Sequence, residues 1–316
     1  MNLRRSALGA LLALGIVLAV AIPAGATQSN HPVGLQCGVN PTSDVRLRAD
    51  LTCTDGFRID PAAQVHIDLA GHRLTVTNGA CTFPGPCGAI FGAASVSDGA
   101  VTGDLKDVTL VRKVRVTGSV YFEESTSGPS SLDRSLVRNG RVGVFGPDVT
   151  FSRNDIVGVG PFGGGVQLLD SIRNVSNVSI TRNRIVGAGI TGFDSCASCP
   201  GDISGVIALN TISGSGADGI SFSGFLPSLG RIEITANTIR DSAGDGISIS
   251  SMAPAGIGGG PIVLTGNRLV RNGGHGVNST WTSTDPTLGV IDGGGNVARR
   301  NGLSPACIGI TCSLCW

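Results

Sequence analysis

The chain has 316 residues, a formal net charge of +1 and 14% charged residues. No excess of positive charge points to nucleic acid or to an acidic membrane surface. A 41% hydrophobic share with 49 glycines suits a core of short strands joined by tight turns, and excludes disorder.

The first feature in chain order is a leader. Arg4 and Arg5 precede an apolar stretch from Ala7 to Ile22 and the small-residue run Ala24-Gly25-Ala26. A basic start, a short apolar run and an A-x-A-like site predict a signal peptide over 1–26, cut after Ala26. The apolar run falls short of the ~20 residues a membrane-spanning helix needs. The mature chain is therefore expected to have no membrane span and to be secreted or held in the cell envelope. Nine cysteines follow, and in an exported protein they read first as disulfides. The candidates are Cys37, Cys53, Cys81, Cys87, Cys196, Cys199, Cys307 and Cys312, with Cys315 close to the last two. Cys37–Cys53 and Cys81–Cys87 have the short spacing of loop staples. The pair Cys196 and Cys199 reads as a loop disulfide before it reads as half of a zinc site. The odd count leaves at least one thiol unpaired or joined to another chain.

Residues 27–110 are expected to form a cap and the first coils, where VRLRADLTCTDGFRID and VHIDLAGHRLTV alternate apolar and polar residues at uneven spacing. Residues 111–306 carry a regular repeat. The segments VTFSRNDIVG, VSITRNRIVG, VIALNTISG, IEITANTIRD, IVLTGNRLVR and VIDGGGNVAR each run from an alternating stretch to an asparagine. Those asparagines are Asn154, Asn183, Asn210, Asn237, Asn267 and Asn296, separated by 29, 27, 27, 30 and 29 residues. A second, glycine-opened strand follows most of them, as in DGISFS (218–223) and DGISIS (245–250). Two strands in so short a unit leave no room for the helix of a βαβ crossover. Stacking equivalent strands in parallel buries every inward aliphatic side chain. The fold class predicted is all-β, a right-handed parallel β-helix of roughly 8–10 coils with a Cys-rich tail over 307–316. The asparagine tolerates left-handed backbone angles and can bond its neighbour from coil to coil, so its role is structural.

Asp50, Leu51 and Cys53, followed by Ile67, Asp68, Leu69, Gly71, His72 and Leu74, form a sentence DLxC…IDLxGHxL. It resembles the start of the solenoid in bacterial right-handed parallel β-helix repeat proteins of the pectate-lyase-like superfamily. With the repeats, the resemblance covers most of residues 37–306. It implies an extracellular or envelope protein that binds or acts on polysaccharide, with pectate lyases, polygalacturonases and uronan epimerases as enzymatic relatives.

Loops vary after the same strand in each coil, at Phe193–Gly205, Gly224–Arg231, Ser251–Pro261 and Ser279–Gly289, which suggests a decorated corner. If Ile220 and Phe222 point inward, alternation turns Ser221 and Ser223 outward, then Ser248 and Ser250, Asn278 and Thr280, with Gln167 in an earlier coil. This expected sugar-binding surface is hydroxyl-rich and lacks rows of Arg or Lys; Trp281 and Phe225 are its aromatic candidates. Eight residues beyond the repeat asparagine stand Asp218, Asp245 and His275. In-register stacking would line them up, and adjacent carboxylates split into an acid and a base, with an imidazole beside them. An Asp before Gly is also ordinary turn chemistry. ADGISFSG, GDGISIS and GGHGVNST resemble the Asp–Gly, Asp–Asp and His–Gly strings of polygalacturonases in order. The second has one Asp where those have two, and no Arg-x-Lys follows. The function expected is binding of a polysaccharide or envelope surface; the alternative is a polysaccharide lyase or glycoside hydrolase using Asp218, Asp245 and His275. No cofactor, metal or nucleic-acid partner is expected.

Overall fold

The computed structural model describes residues 33–60, 63–77, 88–92, 94–123, 128–158, 165–170, 174–194, 203–224, 230–251, 260–281, 289–310, 312 and 314–315. Among them every regular element is a strand, and strands of successive coils pair in parallel. One coil shows the plan. Ile232–Thr235 lies on a first face, Thr238–Arg240 on a second and Ile247–Ser251 on a third. Ile262–Thr265 then opens the next coil, with Ile232 registered on Ile262.

The reason these segments are strands is visible in their burial. Ile234, Ile239, Ile247 and Ile249 have no exposed surface and Ile232 only 2%. Each fully buried aliphatic contributes about 1.5–3 kcal/mol, and the inward rows continue through the neighbouring coils. The expected parallel β-helix is the architecture found. The third face stacks 11 strands, from Phe57–Arg58 to Cys307–Ile308, slightly beyond the expected range. The additional rungs lie where the repeat is not legible: Phe57–Arg58 and Ile90–Phe91 are two-residue strands, and Cys307–Ile308 adds itself to Val277 and Asn278.

The corner between the first and second faces carries the asparagines, with one correction. The left-handed residue is the one before each asparagine: Arg153 (φ 57), Arg182 (φ 57), Leu209 (φ 59) and Ala236 (φ 53). That residue turns the chain, so the asparagine side chain points into the solenoid. From Asn183 onward each Oδ1 accepts from both the backbone N–H and the Nδ2 of the asparagine one coil earlier, while Asn154 Oδ1 accepts the backbone N–H of Ser135 at 2.8 Å. Asn210 donates in this way to Asn237 at 3.0 Å twice, and Asn237 to Asn267 at 3.1 Å twice. Each Nδ2 also reaches a strand carbonyl of the preceding coil, as Asn237 does to Ile207 at 2.8 Å. A second, shorter ladder at the next corner escapes the sequence. Ser242 N–H donates to Asn272 Oδ1 at 3.1 Å and Asn272 N–H to Asn301 Oδ1 at 3.0 Å; only two coils place an asparagine there, too few to read as a repeat.

Cys37 is bonded to Cys53, and Cys307 to Cys312. Cys81, Cys87, Cys196 and Cys199, and the leader expected over 1–26, lie outside the described residues. No helix among the described residues is long and apolar enough to cross a membrane.

Candidate functional site

The outward surface of the third face is built by register. Gln167, Thr191, Ser221, Ser248 and Asn278 pair in succession and form one row. Their inward neighbours Ile220, Phe222, Ile247, Ile249 and Val277 have no exposed surface, which is the alternation read from the sequence. Trp281 is a correction. Proposed as a stacking platform, it is 8% exposed and packs into the hydrophobic core, because burying a large ring outweighs presenting it to solvent. Phe225 and the loop tips at 195–202, 225–229, 252–259 and 282–288 lie outside the described residues.

Followed toward the N-terminus, the same row changes character. Gln167 registers on Gly143, Gly143 on Tyr121 and Tyr121 on Lys106. Gly143 leaves a bare patch of backbone, and a Cβ there would stand 2.7 Å from the Tyr121 ring and 3.0 Å from that of Phe145. Both half-buried rings rest over it, with centroids 6.3 Å apart. Arg141 lies 5.6 Å from the Tyr121 centroid, donates from Nε to the phenol oxygen at 3.1 Å, and from a terminal nitrogen to Gln167 Oε1 at 3.1 Å. Lys106 Nζ stands 5.5 Å from the same ring. Cations over a ring face are held by its quadrupole. The expectation that this sheet lacks Arg and Lys therefore fails in its N-terminal half. The asparagine repeat begins at Asn154, so coils before it are not phased by it, and Tyr121, the single tyrosine of the chain, was not placed on this face.

Asp218, Asp245 and His275 do stack at the entry to the third face. Asp218 Oδ1 accepts the backbone N–H of Asp245 at 2.7 Å, and Asp245 Oδ1 accepts that of His275 at 2.5 Å. Asp245 Oδ2 takes the Asn278 amide at 2.9 Å. The His275 ring turns away, with Nδ1 2.7 Å from the Pro305 carbonyl. The carboxylates thus hold backbone amides one coil on, where the asparagines hold those one coil earlier. Burial pushes the Asp218 carboxyl above its usual range; the Asp245 amide opposes this, the Asp245 charge adds to it, and the Ser248 hydroxyl lowers it again. Among the described residues no group of three His, Cys, Asp or Glu is placed to hold a metal.

The Asp218 shift predicts a pH effect on stability. Its folded form holds the proton more firmly than the unfolded chain does, so Asp218 lowers stability as pH rises from the ordinary carboxylate value through the folded one. Asp218→Asn keeps an acceptor for Asp245 N–H and removes the titration. The variant's stability relative to the natural protein should rise with pH across that window in urea melts; a difference that stays flat would refute the shift.

A family model described as a right handed beta helix region matches residues 120–289, just over half of the chain. No curated protein and no solved structure matches. The three-faced stack of parallel strands and this match agree: the chain belongs to the right-handed β-helix family.

Proposed function

We propose that this protein is exported and binds polysaccharide along the outward surface of its third face. The observation that carries the reading is the Tyr121–Phe145 pair lying over bare Gly143, edged by Lys106, Arg141 and Gln167. Sugar rings offer apolar C–H faces bounded by hydroxyl groups, which suit an aromatic floor with polar donors and acceptors around it. Thr191, Ser221, Ser248 and Asn278 continue that surface for further sugars of an extended chain. Export is supported by the two disulfides, which persist in oxidising compartments.

On a panel of soluble polysaccharides, Tyr121→Ala should weaken the tightest interaction about tenfold, equivalent to ~1.4 kcal/mol. Unchanged binding across the whole panel would remove the platform from consideration. The same panel, assayed for new reducing ends or unsaturated uronates, tests a second reading, favoured by the raised Asp218 carboxyl. Turnover that disappears in both Asp218→Asn and Asp245→Asn would make the protein a lyase or hydrolase.

A further inference from the structure

The left-handed corner between the first and second faces is occupied by cations in four consecutive coils: Lys113 (φ 53), Arg134 (φ 47), Arg153 (φ 57) and Arg182 (φ 57). All four are exposed. The corner geometry does not call for charge, since Leu209, Ala236 and Gly266 take the same position in the coils that follow. Four cations therefore stand in file along the solenoid axis, one per coil, at a rise of ~4.8 Å.

Beside the head of this file lies an open cleft of about 590 Å³. Its shape comes from register. Arg73 pairs with Ala100 and Ala100 with Arg115, so a methyl group separates two arginines that stand two coils apart, roughly 10 Å. Neither guanidinium has an ion-pair or hydrogen-bond partner among the described residues. Lys113 and Arg134 line the same cleft, together with Asp50 and Asp98. Across cleft and ridge six cations face three carboxylates, Asp50, Asp98 and Asp133, a local surplus larger than the +1 of the entire chain. The pairs these carboxylates make with basic side chains among the described residues are loose: His72–Asp50 at 3.6 Å, Lys113–Asp98 at 3.5 Å, Arg134–Asp133 at 3.4 Å and Arg153–Asp133 at 4.0 Å. Such exposed pairs are worth about 0–1 kcal/mol, so an incoming anion displaces them at small cost.

We infer that the Arg73–Arg115 cleft and the Lys113–Arg134–Arg153–Arg182 ridge form a second binding site, separate from the third face, for a linear acidic glycan lying along the solenoid axis. The mixture of charges selects this ligand. Guanidinium groups bind its carboxylates, while Asp50 and Asp98 accept from its hydroxyl groups. A DNA phosphodiester chain offers acceptors and no backbone donor, and among the described residues no aromatic side chain lines the cleft for base stacking. The inference shares its ligand class with the polysaccharide reading above but uses different residues, so each can fail alone.

The test uses the full disulfide-bonded protein in a Tyr121→Ala background, which weakens the third face. Hexagalacturonate is titrated calorimetrically, with its methyl ester and a short single-stranded DNA of equal charge as comparators. Hexagalacturonate should bind, should weaken with added salt, and should lose about tenfold or more in affinity on Arg73→Gln/Arg115→Gln. Arg134→Glu/Arg153→Glu, two exposed changes, should weaken it comparably with an unchanged circular dichroism spectrum. Binding of the methyl ester at equal strength, DNA binding as tight as hexagalacturonate, or no loss in either double variant would overturn the inference. Loss confined to Tyr121→Ala itself would support the third face and reject this site.

Discussion

Asn237→Ala should lower the stability of the protein by about 3–6 kcal/mol, enough to open the solenoid locally at ordinary temperature. Asn237 is 1% exposed. Removing its amide strips the acceptor from Asn210 N–H and from Asn210 Nδ2, and the donor from the Ile207 carbonyl. Each buried polar group left without a partner costs about 1–3 kcal/mol. Because each coil contacts mainly its neighbours, the damage should centre on the coils around Ile207 and Asn237. Hydrogen exchange should show amides there losing protection before those of Val96 or Val111. Asn237→Asp is the informative companion. It keeps the acceptor for Asn210 but deletes the donor and introduces a charge at a buried position, so it should be destabilising as well. An Asn237→Ala variant as stable as the natural protein would mean that the ladder is incidental.

The second large effect is expected in the core of the third face. Phe222 has no exposed surface and registers on Gly192 in the preceding coil. A Cβ at position 192 would lie 2.3 Å from the Phe222 ring, so the ring occupies space that the glycine vacates. Phe222→Ala should cost about 3–5 kcal/mol through lost burial and the cavity left behind. Gly192→Ala should cost about 1–3 kcal/mol by overpacking. The decisive measurement is the double-mutant cycle. Combined with Phe222→Leu, Gly192→Ala should be far less harmful than alone, because the smaller side chain withdraws from the space the methyl needs. Strict additivity in chemical denaturation would show that the two positions do not share that space.

Much of this fold is legible in the chain because a solenoid repeats one local solution. The steps between Asn154, Asn183, Asn210, Asn237, Asn267 and Asn296 set the coil length, and alternation along Ile220–Ser223 and Ile247–Ser250 assigns inside and outside. The same logic stacks Asp218, Asp245 and His275, since residues at equal phase in successive coils must be neighbours. What those three side chains do after stacking is not contained in the spacing. The Asp245 oxygens turn to His275 N–H and to the Asn278 amide, an outcome set by which donors the next coil presents. Trp281 shows the same limit: nothing local tells whether a ring beyond a strand end folds over the core or stands clear of it.

The repeat and the alternation are properties of neighbouring residues, so the sequence by itself determined the β-helix, the direction of the asparagine row and the polar outer surface of the C-terminal coils. The cationic and aromatic sites required the tertiary structure. Lys106, Tyr121, Gly143 and Gln167 meet only when coils of unequal length are brought into register, and so do Arg73, Ala100 and Arg115. In that irregular region the number of residues per turn varies, and the hydrogen-bonded stacking of strands, not a period in the chain, decides which side chains touch.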